Sequence, residues 1–114
     1  MQLKNDALFR QQAFINGVWC DADSQETQKV FNPATGEVIG TVPNMGRDET
    51  RRAIEAADAA QSAWAKKTGK ERSTVLRRWH TLIAENIEDL ALLMTHEQGK
   101  PLSEAKGEIQ SGLD

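Results

Sequence analysis

Apolar positions in the first 45 residues come in short pairs separated by turn formers. Phe14-Ile15 and Val18-Trp19 bracket Asn16-Gly17, a dipeptide that tolerates positive φ at both positions and so predicts a two-residue hairpin. Val30-Phe31 and Val38-Ile39 bracket Asn32-Pro33-Ala34-Thr35-Gly36. There Pro33 presets φ and Gly36 relieves the turn, which predicts a second hairpin. Val42-Pro43 closes this region.

From Asp48 the period becomes helical. Ala53, Ala57, Ala60 and Trp64 recur on one face of a first helix, with Asp48 expected as its N-cap and Glu49 complementing its dipole. A face made of alanines is thin, so another element must approach it closely. Thr68-Gly69-Lys70-Glu71 has the spacing of a capping box and starts a second helix. Its apolar stripe is Leu76, Trp79 and Ile83, widened by Val75 and Leu82. Asn86 is expected to cap a third helix carrying Leu90, Leu93 and Met94, which Gly99 stops. Pro101 begins a fourth, with Leu102, Ala105 and Ile109 inward, and this helix barely starts before Ser111. Residues 1–114 read as one partial domain, with a hairpin and turn region over 1–45 and a helical region over 46–110. The fold class is α/β, or α+β for these residues alone, because no strand remains to complete a βαβ unit.

Composition narrows the function. A net charge of -3 among 114 residues gives no global attraction for nucleic acid or an anionic membrane. The N-terminal ten residues carry Lys4, Asp6 and Arg10 and lack the apolar run of a signal peptide. No stretch approaches the roughly 18 apolar residues of a membrane span. The single cysteine, Cys20, excludes an intrachain disulfide and suits a reducing compartment, so a cytoplasmic location is expected.

Candidate chemistry is sparse. Cys20 has no histidine within fifty residues, so a structural thiol outweighs an activated nucleophile. His96-Glu97 resembles the zinc-protease pattern, but Lys100 stands where its second histidine is required. His80, between Trp79 and Thr81, reads as a partly exposed helix residue. Phosphate-loop spacing fails around Gly99-Lys100, where Met94 and Pro101 replace the needed glycine and hydroxyl, and around Gly69-Lys70, with Trp64 at the glycine position. No G-x-G-x-x-G occurs. The cluster Lys66, Lys67, Lys70, Arg72, Arg77 and Arg78 reads as a solvated face rather than a phosphate patch. Glu97, Glu104 and Glu108 read as polar helix faces. No catalytic, cofactor-binding or metal residue is therefore assigned.

Two blocks carry a family resemblance. Phe14-Ile15-Asn16-Gly17-Val18-Trp19 followed by Asn32-Pro33-Ala34-Thr35-Gly36-Glu37-Val38-Ile39-Gly40, and then Thr95-His96-Glu97-Gln98-Gly99-Lys100-Pro101-Leu102-Ser103-Glu104-Ala105, resemble the N-terminal portion of aldehyde dehydrogenases. Leu8-Phe9-Arg10-Gln11-Gln12-Ala13 and Lys106-Gly107-Glu108-Ile109 resemble the bacterial succinate-semialdehyde dehydrogenases. The resemblance covers residues 3 to 109. It implies the outer start of a cofactor-binding domain, whose helices pack on a parallel sheet built from later sequence. It also implies oxidation of succinate semialdehyde to succinate, with NADP or NAD as hydride acceptor in a homo-oligomeric parent enzyme. The family's catalytic cysteine, glutamate and asparagine, its cofactor cradle and its substrate-binding arginines are expected beyond residue 114. In some relatives a carboxylate near the position of Glu108 approaches a monovalent-cation site. Where relatives continue with apolar and aromatic residues, this chain reads Gln110-Ser111-Gly112-Leu113-Asp114. The 114 residues alone are thus expected to be inactive and marginally stable or self-associating. The alternative is a short, non-catalytic protein that binds a homologue or a complementary chain.

Overall fold

The computed structural model describes residues 1–114. Four strands and four helices follow in the expected order: β1 (Ala13–Ile15), β2 (Val18–Cys20), β3 (Thr27–Phe31), β4 (Val38–Pro43), α1 (Arg47–Lys66), α2 (Gly69–Glu85), α3 (Ile87–Gln98) and α4 (Leu102–Ser111). The strands form two separate antiparallel pairs, β1 with β2 and β3 with β4.

Each hairpin follows from its turn chemistry. Asn16 and Gly17 both take positive φ, 52° and 76°, so Ile15 faces Val18 and Phe14 faces Trp19. That register brings the Phe14 and Trp19 ring centres to 4.9 Å, the planes tilted by 47°, with the Arg10 guanidinium 4.6 Å from the Trp19 ring centre. In the second hairpin Gly36 takes the positive φ, 74°. Val30 pairs with Gly40 but Phe31 with Val38, which leaves Ile39 as the extra residue of a bulge. Both strands extend further than their apolar pairs predict.

Helix ends are closed mostly by local groups, with two departures from the sequence reading. The N-cap of α1 is Gly46, not Asp48. Glu49, buried at the third helical position, accepts the Gly46 N–H at 3.4 Å and the Asp23 N–H at 3.3 Å, so the cap is made by a carboxylate reaching backwards. Asn86 sits between α2 and α3 without capping the latter through its side chain. Its Nδ2 donates instead to the Leu82 carbonyl at 2.8 Å, closing the end of α2. The capping box at Thr68 and Glu71 forms as expected. So does the stop at Gly99, with φ 83°. Helix α4 is longer than expected, a full ten residues.

An N-terminal arm ties the hairpins to the helices. Asp89 of α3, itself buried, accepts the backbone N–H of Lys4 at 3.0 Å and of Asn5 at 2.8 Å. Six residues further on, the Gln11 side-chain oxygen accepts the Thr41 N–H on β4 at 2.9 Å. Gly40 makes that crossing possible, because a Cβ there would lie 2.7 Å from the Phe9 ring. Gly99 does the same for the second turn, since a Cβ on it would come within 2.9 Å of Pro33.

What the fold lacks is a core. Only Leu3, Ala22, Ala91 and Ala105 among apolar residues are buried. The radius of gyration is 16.6 Å, against about 13 Å for a compact domain of this length. The thinnest dimension is 19 Å, close to two helix diameters. The apolar stripes exist but stay open. Ala57 and Ala60 of α1 are exposed, over a cleft they share with Phe14, Ile15, Asn16 and Gly17 of the first hairpin. Leu102, expected inward, is exposed, while its α4 neighbour Ala105 is fully buried.

Because Asp89 is the arm's anchor, Asp89→Ala is expected to release it locally. Loss of hydrogen bonds to a charged acceptor costs about 1.5–3 kcal/mol. Amide hydrogen exchange at Lys4 and Asn5 should therefore quicken roughly ten- to hundredfold, while the amides of α2 change little. Unchanged exchange at both sites would show that the arm is held by something else.

Candidate functional site

The titratable side chains singled out in the sequence are dispersed by the fold. Cys20 ends β2, half-buried, with its Sγ 3.5 Å from the Ala13 carbonyl of the paired strand. That contact turns the thiol towards the hairpin's own backbone. His80 is exposed on α2. His96, half-buried on α3, donates from Nδ1 to the Leu92 carbonyl at 2.9 Å. It borders an open cavity of about 580 Å³ between the arm, the second hairpin and α3, together with Asp6 and Glu37. No three of the chain's His, Cys, Asp and Glu residues are grouped as metal ligands.

The basic cluster is partly consumed in building the turn between α1 and α2. Arg72 donates to the carbonyls of Ala65 and Lys67, so its charge stabilises the C-terminus of α1. Arg77 donates to Ser73 at 3.3 Å. Glu97 and Glu104 are exposed. Glu108 pairs with Lys100, so the carboxylate that the resemblance brings near a cation site already faces an ammonium in this chain.

A dinucleotide cradle needs free backbone amides at a helix N-terminus for the pyrophosphate. At α1, Glu49 occupies the Gly46 amide. At α2, Thr68 and Glu71 exchange hydrogen bonds, with the Thr68 N–H donating to Glu71 at 2.7 Å and the Glu71 N–H to Thr68 Oγ1 at 3.2 Å. Both termini already face a carboxylate of the protein's own. Neither of these two termini is left open for a pyrophosphate.

Two carboxylates that do matter escaped the sequence reading in their real roles. Glu49 pins the loop at Asp23 to α1, where Asp23 also pairs with Arg52 at 2.7 Å. Asp89 holds the arm. The available signal was an acidic residue three positions after each helix cap, at Gly46 and Asn86. That spacing marks a reaching carboxylate without saying which amides it reaches.

Comparison with known proteins supplies the context that these side chains leave open. The model of the aldehyde dehydrogenase family matches residues 19–114. A glutarate-semialdehyde dehydrogenase of Pseudomonas putida is 71% identical over 109 residues, which are 96% of this chain and 23% of that protein. The NADP(+) succinate-semialdehyde dehydrogenase of Escherichia coli is 59% identical over the same share. A solved succinate-semialdehyde dehydrogenase from Burkholderia pseudomallei superposes with a TM-score of 0.96 at 57% identity, covering 99% of this chain and 23% of that one. Two hairpins followed by four helices are thus an α/β segment of a much larger enzyme fold. The chain belongs to the aldehyde dehydrogenase family, and it spans about a quarter of the length of the curated relatives it matches.

The capping box also carries a pH signature. Glu71 is held below the usual carboxylate range, first by the Thr68 backbone N–H and then by the Thr68 hydroxyl. A depressed folded-state value means that the cap's contribution is complete above the ordinary glutamate value, about 4.3, and fades as the pH falls through the depressed one. In an NMR titration Glu71 should turn over below about 4.3, and Thr68→Val should move its midpoint part of the way back. A wild-type midpoint at or above the ordinary value would contradict the cap.

Proposed function

We propose that these residues form the N-terminal outer layer of an NAD(P)-dependent semialdehyde dehydrogenase and carry none of its reacting groups themselves. The substrate is the semialdehyde of a short dicarboxylic acid, either succinate semialdehyde or its one-carbon-longer homologue. The observation that carries this reading is identity of 71% and 59% to enzymes of those two names across nearly the whole chain.

In such a reaction the aldehyde carbon gains the oxygen of water and loses a hydride, leaving a carboxylate and two protons. A nicotinamide dinucleotide, when bound by the whole enzyme, supplies the two-electron acceptor. The residues here act on neither atom. They contribute hairpins and helices whose open apolar stripes are matched to polypeptide outside residues 1–114. The nucleophilic thiolate, the water-activating carboxylate and the oxyanion donors belong to that polypeptide, as does the dinucleotide cradle. Residues 1–114 are then one partial domain, inactive alone, and no helix among them is long and apolar enough to cross a membrane. The single thiol fits a cytoplasmic enzyme.

The reading is tested by a single-chain chimera. Residues 1–114 replace the matching segment of the Pseudomonas putida relative, and reduction of NADP and NAD is followed with both semialdehydes. Turnover comparable to that of the unmodified relative is expected with at least one of them. A soluble chimera without turnover would refute the reading.

A further inference from the structure

In the two-residue turn of the first hairpin an asparagine side chain and the backbone nitrogen after it are both unengaged. Of the five asparagines in the chain, four are spent on hydrogen bonds. Asn5 and Asn32 accept the amides of Ala7 and Ala34, Asn44 accepts from Gln28, and Asn86 donates to the Leu82 carbonyl. Asn16 is exposed and makes no such bond, and the N–H of Gly17 donates to no carbonyl. The residue that follows matters as much. Asp6, Met45 and Ile87 shield their own nitrogens with a Cβ, and Pro33 has no N–H at all. A Cβ added at Gly17 would meet nothing within 4 Å. Its nitrogen therefore stands in open space, on a backbone free to rotate.

We propose that Asn16 is a site of spontaneous covalent modification, at which deamidation through a cyclic imide yields aspartate and isoaspartate within the folded protein. The Gly17 N–H gives its proton to solvent base, and the nitrogen attacks Cγ of Asn16. A C–N bond forms, the Cγ–Nδ2 bond breaks, and Nδ2 leaves as ammonia with a proton taken from water. Water then opens the five-membered ring. Addition at Cγ gives aspartate, and addition at the backbone carbonyl of Asn16 gives isoaspartate, in which the main chain runs through the former side chain. Amide and water have become carboxylate and ammonium, with no change of oxidation state. Isoaspartate lengthens the backbone of the turn by one methylene. A two-residue loop sets register by its own length, so this product disrupts the facing of Ile15 and Val18 and the approach of Phe14 to Trp19. It also sets a negative charge at the rim of the apolar cleft that the turn shares with Ala53, Ala57 and Ala60. The proposal is independent of the functional reading above.

The experiment ages the purified protein in neutral buffer, with a urea-unfolded sample beside it. Each asparagine-containing peptide is followed by mass and by methyl transfer from an isoaspartyl-specific methyltransferase. Protection of the β1 and β2 amides at the start marks the hairpin as formed. In the folded sample the Asn16 peptide should gain about 1 Da and accept methyl groups. Conversion there should outrun that at each of the other four asparagines at least tenfold, because only glycine leaves the attacking nitrogen unshielded. Asn16→Gly keeps a residue that accepts the positive φ of 52° and should abolish both signals in this peptide. Amide exchange in β1 and β2 should quicken at least tenfold in the isoaspartyl fraction and stay constant as the variant ages. Conversion of Asn16 only in the urea-unfolded sample, or no faster than at the other asparagines, would overturn the site. Isoaspartate at Asn16 with unchanged exchange in both strands would overturn the loss of register.

Discussion

The contact between the hairpins and the later helices depends first on the path of residues 3 to 11. The arm is fastened to α3 by one carboxylate accepting two consecutive amides, and to β4 by the Gln11 side chain at Thr41. Between those points it crosses β4 where Gly40 leaves room for the Phe9 ring. Leu3, at the start of the arm, is one of only four buried apolar residues. A buried carboxylate is tolerable only when its oxygens are satisfied, and the two amides do that for Asp89.

Elsewhere the elements keep their shape by short-range chemistry and meet one another sparingly. In most domains of this length the apolar stripes of helices converge, and burial supplies the dominant stabilising term. Here the stripes are correctly periodic and point outwards. The physical account is that periodicity belongs to the helix whereas burial belongs to its partner, and the partner of α2 is not among these 114 residues. The functional reading follows from the same fact. The N-termini of α1 and α2 face carboxylates of the protein's own, and the stripes stay open; the proposed role, to be packed against rather than to hold substrate, rests on both.

Much of this was legible in the residues. Asn16-Gly17 and the Asn32 to Gly36 turn set both hairpins, because so few residue types accept the φ values they need. Thr68 with Glu71, and Gly99, set two helix boundaries correctly for the same kind of reason. Failures came where two residues competed for one role. Asp48 has the side chain of an N-cap, yet Gly46 takes the position because Glu49 reaches back to its amide. Asn86 has the side chain to start α3 but turns to finish α2. Of the three residues of α4 expected inward, Ala105 is buried and Ile109 half-buried, whereas Leu102 is exposed. The bulge at Ile39 and the long reach from Asp89 to Lys4 left no local trace, since both depend on pairing across the chain. The site was legible only as chemistry that the residues do not assemble. Its location in a larger enzyme came from motif resemblance and then from the family match.

The Asp89 clamp has a consequence in time. Its donors and its acceptor are 85 and 84 residues apart, whereas both hairpins and the capping boxes close over a few positions. During synthesis at about 5–20 residues per second, roughly 4–17 s separate the appearance of Lys4 from that of Asp89. The first hairpin can be complete long before then, while the arm beside it has no anchor on α3. For that interval the arm waits, with Leu3 uncovered, for a residue of α3.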